Sequence, residues 1–257
     1  MALLEVRGLS KAFGGVTAIS NLSFRVDSGV VYAVIGPNGA GKTTLFNMLS
    51  GIYQADSGEI HFKQQRITAL APYQIAKAGI SRTFQNLQIF FNMSVHENVL
   101  VGCHLRTASG VVEAMLRLSR VRKEERQVHY WADESLEFCG LSAYRNEAAD
   151  ALPYGVLKRL EIARALAVEP QLLMMDEPAA GLNDTESVEM IHLIRRIRDR
   201  GTTVLLVEHN MDLIMNVSDR LLVLDYGSRL AEGSCEEIQQ NPKVIAAYLG
   251  GEVRTGV

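Results

Sequence analysis

Cysteine is scarce in this chain: Cys103, Cys139 and Cys235 are the only three in 257 residues. They are odd in number, far apart, and have no histidine at ligand spacing. This argues against a disulfide framework and a zinc site, and for a reducing compartment. An excess of positive charge is also missing. Lysine and arginine number 26 against 29 aspartates and glutamates, giving a formal charge of −3, and the basic residues are dispersed. That is not the electrostatic footprint of a nucleic-acid binder, so no nucleic-acid partner is expected. No apolar run approaches the roughly 20 residues that cross a bilayer, and MALLEVRGLSKAF carries charges too early for a secretory signal. The expectation is a soluble chain that reaches a membrane only through a partner. Internal repeats and low-complexity segments are absent, and only Gly250 to Val257 reads as a loose tail.

At 257 residues the chain can form one large α/β domain or a domain with an inserted subdomain, and 47% hydrophobic residues suffice for a core. β-rich runs at Leu3 to Val6, Leu22 to Val26, Val30 to Ile35 and Glu59 to Phe62 read as an N-terminal sheet region. Helix-forming composition follows at Val95 to Val101, Val111 to Leu118 and Glu124 to Phe138. Strands return at Leu172 to Met175, Val204 to Val207 and Leu221 to Leu224. A helix over Glu186 to Arg200 places Val188, Ile191, Ile194 and Ile197 on one face. Strand, helix, strand predicts a parallel sheet.

The strand VVYAVI runs into GPNGAGKTT, made of Gly36, Pro37, Asn38, Gly39, Ala40, Gly41, Lys42, Thr43 and Thr44. This is the P-loop pattern in its proper context. The glycines let backbone N–H groups converge on phosphate oxygens, and the next helix presents its positive end to the same anion. Lys42 suits the β and γ oxygens, and the Thr43 hydroxyl suits Mg²⁺. In LLMMDEP, four apolar residues predict a buried strand beside the P-loop strand. Asp176 then emerges at its carboxyl end to hold the metal shell, and Glu177 stands next to it to activate a water. A third strand, TTVLLVEHN, ends at Glu208 and His209 and delivers the histidine to the same edge, where it can meet the γ-phosphate. Gln85, in SRTFQN, lies where the sheet region joins the insert, within reach of metal or water.

Taken together, GPNGAGKTT, Gln85, LPYGVLKRLEIARAL, LLMMDEP, AAGLN and His209, in this order and spacing, resemble the ABC-transporter nucleotide-binding subunit over nearly the whole chain. RTFQNLQIFFNMSVHENVLVG, LPYG with RLEIARAL, DEPAAGLN and VIAAYLG resemble more narrowly the ATPase subunits of branched-chain amino acid importers, the LivG type. The resemblance implies a P-loop α/β fold with a parallel core sheet, an N-terminal antiparallel region and a helical insert. It divides the chain into an ATP-binding core at 1–85 and 168–249, a helical subdomain with the signature loop at 86–167, and a tail at 250–257.

It further implies that Phe13 stacks on adenine, that Gln85 is the Q-loop glutamine and His209 the switch histidine, and that Ala179 to Asn183 form the D-loop. In the signature loop, Leu152 and Gly155 are retained. Pro153 replaces serine, Tyr154 the first glycine and Val156 glutamine. Pro153 lacks both a hydroxyl and a backbone N–H, which weakens the loop as a phosphate donor. Such subunits pair head to tail, so the implied partners are a second ATPase, favoured as a distinct chain, membrane permeases and a solute-binding protein. The groove near Gln85, with Leu87 to Phe91, is the implied permease contact. The implied place is the cytoplasmic face of the inner membrane, peripherally bound. Urea or amide import and lipopolysaccharide extraction use similar subunits. Soluble non-transport ABC ATPases usually carry two cassettes or coiled-coil arms, which this chain lacks. A nucleotide kinase would leave LPYG and His209 without a role.

Overall fold

The computed structural model describes residues 2–107 and 119–252. Two long strands, β1 (Ala2–Phe13) and β2 (Val16–Asp27), open the chain as a hairpin. From Leu22 to Asp27 burial alternates strictly, with Leu22, Phe24 and Val26 inside, which is the period of a sheet with one face on a core. β3 (Val31–Ile35) is buried throughout and leads through a glycine-rich loop into α1 (Lys42–Leu49). β4 (Ser57–Phe62) and β5 (Gln65–Arg66) complete an antiparallel sheet in the order β2-β1-β4-β5. α2 (Pro72–Ala78) starts on a proline and stops at Gly79, and β6 (Ile80–Arg82) follows.

The insert contributes α3 (Val95–Cys103), α4 (Ser119–Phe138) and α5 (Tyr154–Leu166). Ser94 and Glu97 cap α3 reciprocally, which explains its sharp start. The helix expected at Val111 to Leu118 lies outside the described residues. The chain then continues through β7 (Leu172–Asp176), α6 (Asp184–Asp199), β8 (Thr203–Val207) and α7 (Met211–Val217). It closes with β9 (Arg220–Asp225), β10 (Ser228–Gly233), α8 (Cys235–Gln239) and α9 (Pro242–Glu252).

The second sheet runs β10-β9-β3-β8-β7-β6, parallel except for β10. Alternate residues of its central strands feed two cores. Tyr32, Val34, Met174 and Leu205 pack toward the antiparallel sheet and α1. Ala33, Met175 and Leu206 pack toward the helices on the other face. Among the described residues no helix is long and apolar enough to cross a membrane.

Three expectations are corrected. The strand of LLMMDEP does not lie beside the P-loop strand, because β8 stands between β7 and β3. The buried face of α6 is Met190, Leu193, Ile194 and Ile197, while Val188 is exposed and Ile191 only half-buried. Both faces have helical spacing, and contact with the sheet selects the one carrying Met190 and Leu193. The tail boundary at 250 falls inside α9, which continues to Glu252.

Candidate functional site

β3, β8, β7 and β6 run parallel, so their carboxyl ends open on one edge, where an open α/β sheet binds its ligands. Gly36 leaves β3 with φ 151, and a Cβ there would stand 2.2 Å from the Leu224 carbonyl oxygen. Gly41, at φ 100, would bring a Cβ to 2.5 Å from the Ala18 oxygen of β2. Only glycine lets the loop pass at these two points. Between them Pro37, Asn38, Gly39 and Ala40 arch over, with the Ala40 N–H donating to Pro37 O at 3.2 Å. Lys42 is buried and folded back on the loop, donating from Nζ to Gly36 O at 2.7 Å and to Pro37 O at 3.0 Å. Burial holds its pKa below the ordinary lysine value, against the opposing pull of Glu177 and Asp176. Thr43 is exposed and Thr44 half-buried at the start of α1.

Asp176 ends β7 and is buried, with Oδ2 accepting from Arg82 Nη2 at 2.8 Å. The other guanidinium nitrogen, Nη1, donates to Asn47 Oδ1 at 2.7 Å and Ser50 Oγ at 3.0 Å, so Arg82 ties β6 and β7 to α1. Glu177 follows in the left-handed region at φ 50, with its N–H donating to Val207 O at 2.8 Å. Its carboxylate is held from both sides: Gln85 Nε2 donates to Oε2 at 3.0 Å, and His209 Nε2 lies 3.0 Å from Oε1. Buried Glu208 shapes the turn that delivers His209. One of its oxygens accepts from the His209 and Asn210 N–H groups, and the other from Ala179 N–H.

Gln85, Glu177 and His209, far apart in sequence, thus form one cluster. Thr43 Oγ1, Asp176 and the Gln85 amide oxygen offer an all-oxygen set that fits Mg²⁺. Among the described residues no three His, Cys, Asp or Glu are grouped so as to hold a metal ion by themselves.

Phe13 lies apart on the β1–β2 hairpin. At 43% exposure it is no core residue, and its ring meets Tyr53 edge-on at 5.2 Å. The signature loop is also separate, at the N-terminus of α5. Pro153 occupies the N-cap position, its carbonyl accepting from Val156 and Leu157 N–H at 3.0 and 3.1 Å. Pro153 and Tyr154 are exposed, whereas Leu152, Gly155 and Val156 are buried. Val156 is therefore a core side chain. The loop packs on the D-loop: a Cβ on Gly155 would strike Glu186 Oε1 at 2.3 Å, and one on Gly181 would lie 3.1 Å from the Tyr154 ring. Asn183, at the end of the D-loop, caps α6 by accepting from Glu186 N–H at 2.9 Å. Aspartate would serve that purpose equally.

In the segment expected to meet a permease, Ile89 is buried and Leu87 packs on the core, while Phe90 and Phe91 face outward. Phe90 lines a cleft of about 380 Å³ whose other walls include Arg82, Leu105, Glu161 and Arg164. Sequence reasoning missed Arg82, Lys158, Glu161 and Glu208 as parts of the site. Each is a charged residue that the fold buries or nearly buries, and a charge in a sequence reads by default as surface.

Residues 19–180 match the family described as ABC transporter, and residues 228–254 match the branched-chain amino acid ATP-binding cassette transporter family. The chain is 43% identical to the high-affinity branched-chain amino acid transport ATP-binding protein LivG of Salmonella typhimurium, over 96% of this chain and 98% of the relative. The fold superposes on a nucleotide-free ATP-binding cassette from an ABC transporter with TM-score 0.84 and 34% identity, covering 96% of this chain and 99% of the other. It also superposes on the ADP conformation of an ABC transporter cassette, with TM-score 0.84 and 33% identity over 97% and 99% of the two chains.

Proposed function

This chain belongs to the ABC transporter family, and from that premise we propose that it hydrolyses ATP to energise import of branched-chain amino acids through separate permease subunits. The observation that carries the reading is Glu177, whose carboxylate is fixed between Gln85 and His209 beside the phosphate loop. The adenine rests against Phe13, and the triphosphate lies along the backbone N–H groups that Gly36 and Asn38 to Thr44 carry. Lys42 exchanges its two carbonyl partners for the β and γ oxygens. Glu177 takes a proton from the attacking water as its oxygen bonds to the γ-phosphorus. The bond to the bridging oxygen breaks on the opposite side, and ADP leaves. His209 and Gln85 hold the carboxylate in line. Thr43, Asp176 and Gln85 would hold Mg²⁺, which would supply positive charge to offset that of the triphosphate.

The cargo and the partners rest on relatives: the names of the LivG proteins support leucine, isoleucine or valine as cargo, and a transport subunit with no membrane-crossing helix among its described residues implies permeases. We place the chain peripherally on the cytoplasmic face of the membrane, paired with a second ATPase, and dock a permease segment in the cleft beside Phe90. Glu177→Gln tests the chemistry. Turnover is expected to fall about 10²- to 10⁴-fold while ATP affinity is retained, because the carboxylate acts on water and not on nucleotide. A parallel loss of ATP binding overturns the assignment. For the cargo, leucine uptake by cells carrying Lys42→Ala should be abolished. Loss of urea uptake with leucine uptake intact identifies the other cargo class.

A further inference from the structure

Lys158 and Glu161 lie one turn apart on α5, and each is only 2% exposed. Charges are seldom buried to this degree unless polar groups surround them. The groups around these two belong to the hydrolytic site. Lys158 Nζ donates to Gln85 O at 3.4 Å and to Glu177 O at 3.3 Å. Glu161 Oε1 accepts from Phe84 N–H at 3.1 Å. The ammonium therefore holds a carbonyl and the carboxylate an N–H of two consecutive Q-loop residues. Burial pushes the Glu161 carboxyl above its ordinary range, with the Phe84 N–H and Lys158 opposing that push.

Glu177 needs such a hold. Its backbone sits at φ 50, a region that residues with side chains seldom occupy without support. Val207 O fixes its N–H, and Lys158 together with Ala180 N–H fixes its carbonyl. The contacts continue outward, because Lys158 Nζ lies 5.7 Å from the ring centroid of Tyr154 in the signature loop. On its other side Glu161 borders the cleft beside Phe90.

We propose that Lys158 and Glu161 form a clamp on α5 that positions Gln85 and Glu177 of the same chain, so that the signature helix governs its own chain's hydrolytic site. The two are positioning residues. Their effect on turnover rests on the ATPase reading above, whereas the clamp itself is a property of the chain alone.

Hydrogen–deuterium exchange on the isolated full chain tests the clamp directly. Lys158→Met should speed exchange at Phe84 to Gln88 and Glu177 to Ala180 about tenfold, and Lys158→Arg should bring it back toward wild type. Should Lys158→Met fail to fold, Lys158→Gln replaces it in the same comparison. Unchanged exchange in the neutral variant overturns the clamp. Turnover is then measured in a dimer whose partner ATPase lacks its own catalytic carboxylate. There Lys158→Met should lower kcat about tenfold with KM for ATP unchanged, and Lys158→Arg should recover most of it. Unchanged kcat, or a fall confined to the partner's site in the converse dimer, overturns control within the chain. A wild-type complex without ATP hydrolysis contradicts the ATPase reading and leaves the exchange comparison as the decision on the clamp.

Discussion

Arg82 and Asp176 face each other at 2.8 Å with side chains only 7% and 4% exposed, so neither charge is compensated by water. Removing one partner of such a pair strands the other. Arg82→Met is expected to cost about 3–5 kcal/mol, whereas Arg82→Met with Asp176→Asn should cost less than the single change. Urea unfolding of the four combinations measures the coupling; equal cost with and without Asp176→Asn refutes it. At this scale the sequence was legible where function is contiguous. GPNGAGKTT specifies its own turn, and its Gly36 and Gly41 stand where a Cβ would collide with Leu224 and Ala18. Arg82, in SRTFQN, has no role legible in the sequence, because its partners come from 32 to 94 residues away.

The secondary-structure elements explain other gaps. The strands of the central sheet were visible as apolar runs because both faces are buried. β6 and β10 were not, being short or partly exposed edges of the sheet. Strand order was invisible in principle, which is why β8 was not foreseen between β3 and β7. At the junction of α3 and α4 the fold holds a group with a pH consequence. The buried His96 ring stacks on His129 with centroids 5.0 Å apart, and its Nε2 lies 3.1 Å from Arg145 Nη2. Asp133 faces it at 3.4 Å, and Glu97 is its neighbour in α3. Burial, with Arg145 second, pushes the His96 pKa below the ordinary imidazole value, outweighing Asp133 and Glu97. The neutral ring is therefore favoured in the folded state. Its contribution to stability is full above about pH 6.5, the unfolded value, and falls as pH drops through and below it. Denaturation midpoints from pH 8 to pH 5 should decline, and His96→Gln should flatten part of the slope. An identical slope in the variant assigns the decline to other groups.

At the scale of the whole molecule, the proposed pairing with a second ATPase makes the signature loop of one chain a candidate donor to the ATP held by the other. The exposed part of the signature loop reduces to Pro153 and Tyr154. The α5 N-terminus behind them still offers a positive end to an anion. A full return to the common signature would put a glutamine amide in the buried place of Val156 and confuse loss of packing with gain of function. Pro153→Ser alone avoids this, leaves Tyr154 against Gly181, and supplies a hydroxyl at an N-cap position that favours serine. If the native loop is a weak donor to the partner's ATP, that hydroxyl should add one hydrogen bond to a charged oxygen, worth roughly 1.5–3 kcal/mol, or at least about tenfold in rate. The gain belongs to the partner's site. It is measured in a mixed dimer in which this chain carries Glu177→Gln, so that only the partner's ATP turns over. Unchanged turnover in that dimer means that the backbone of α5 already does all that the loop contributes.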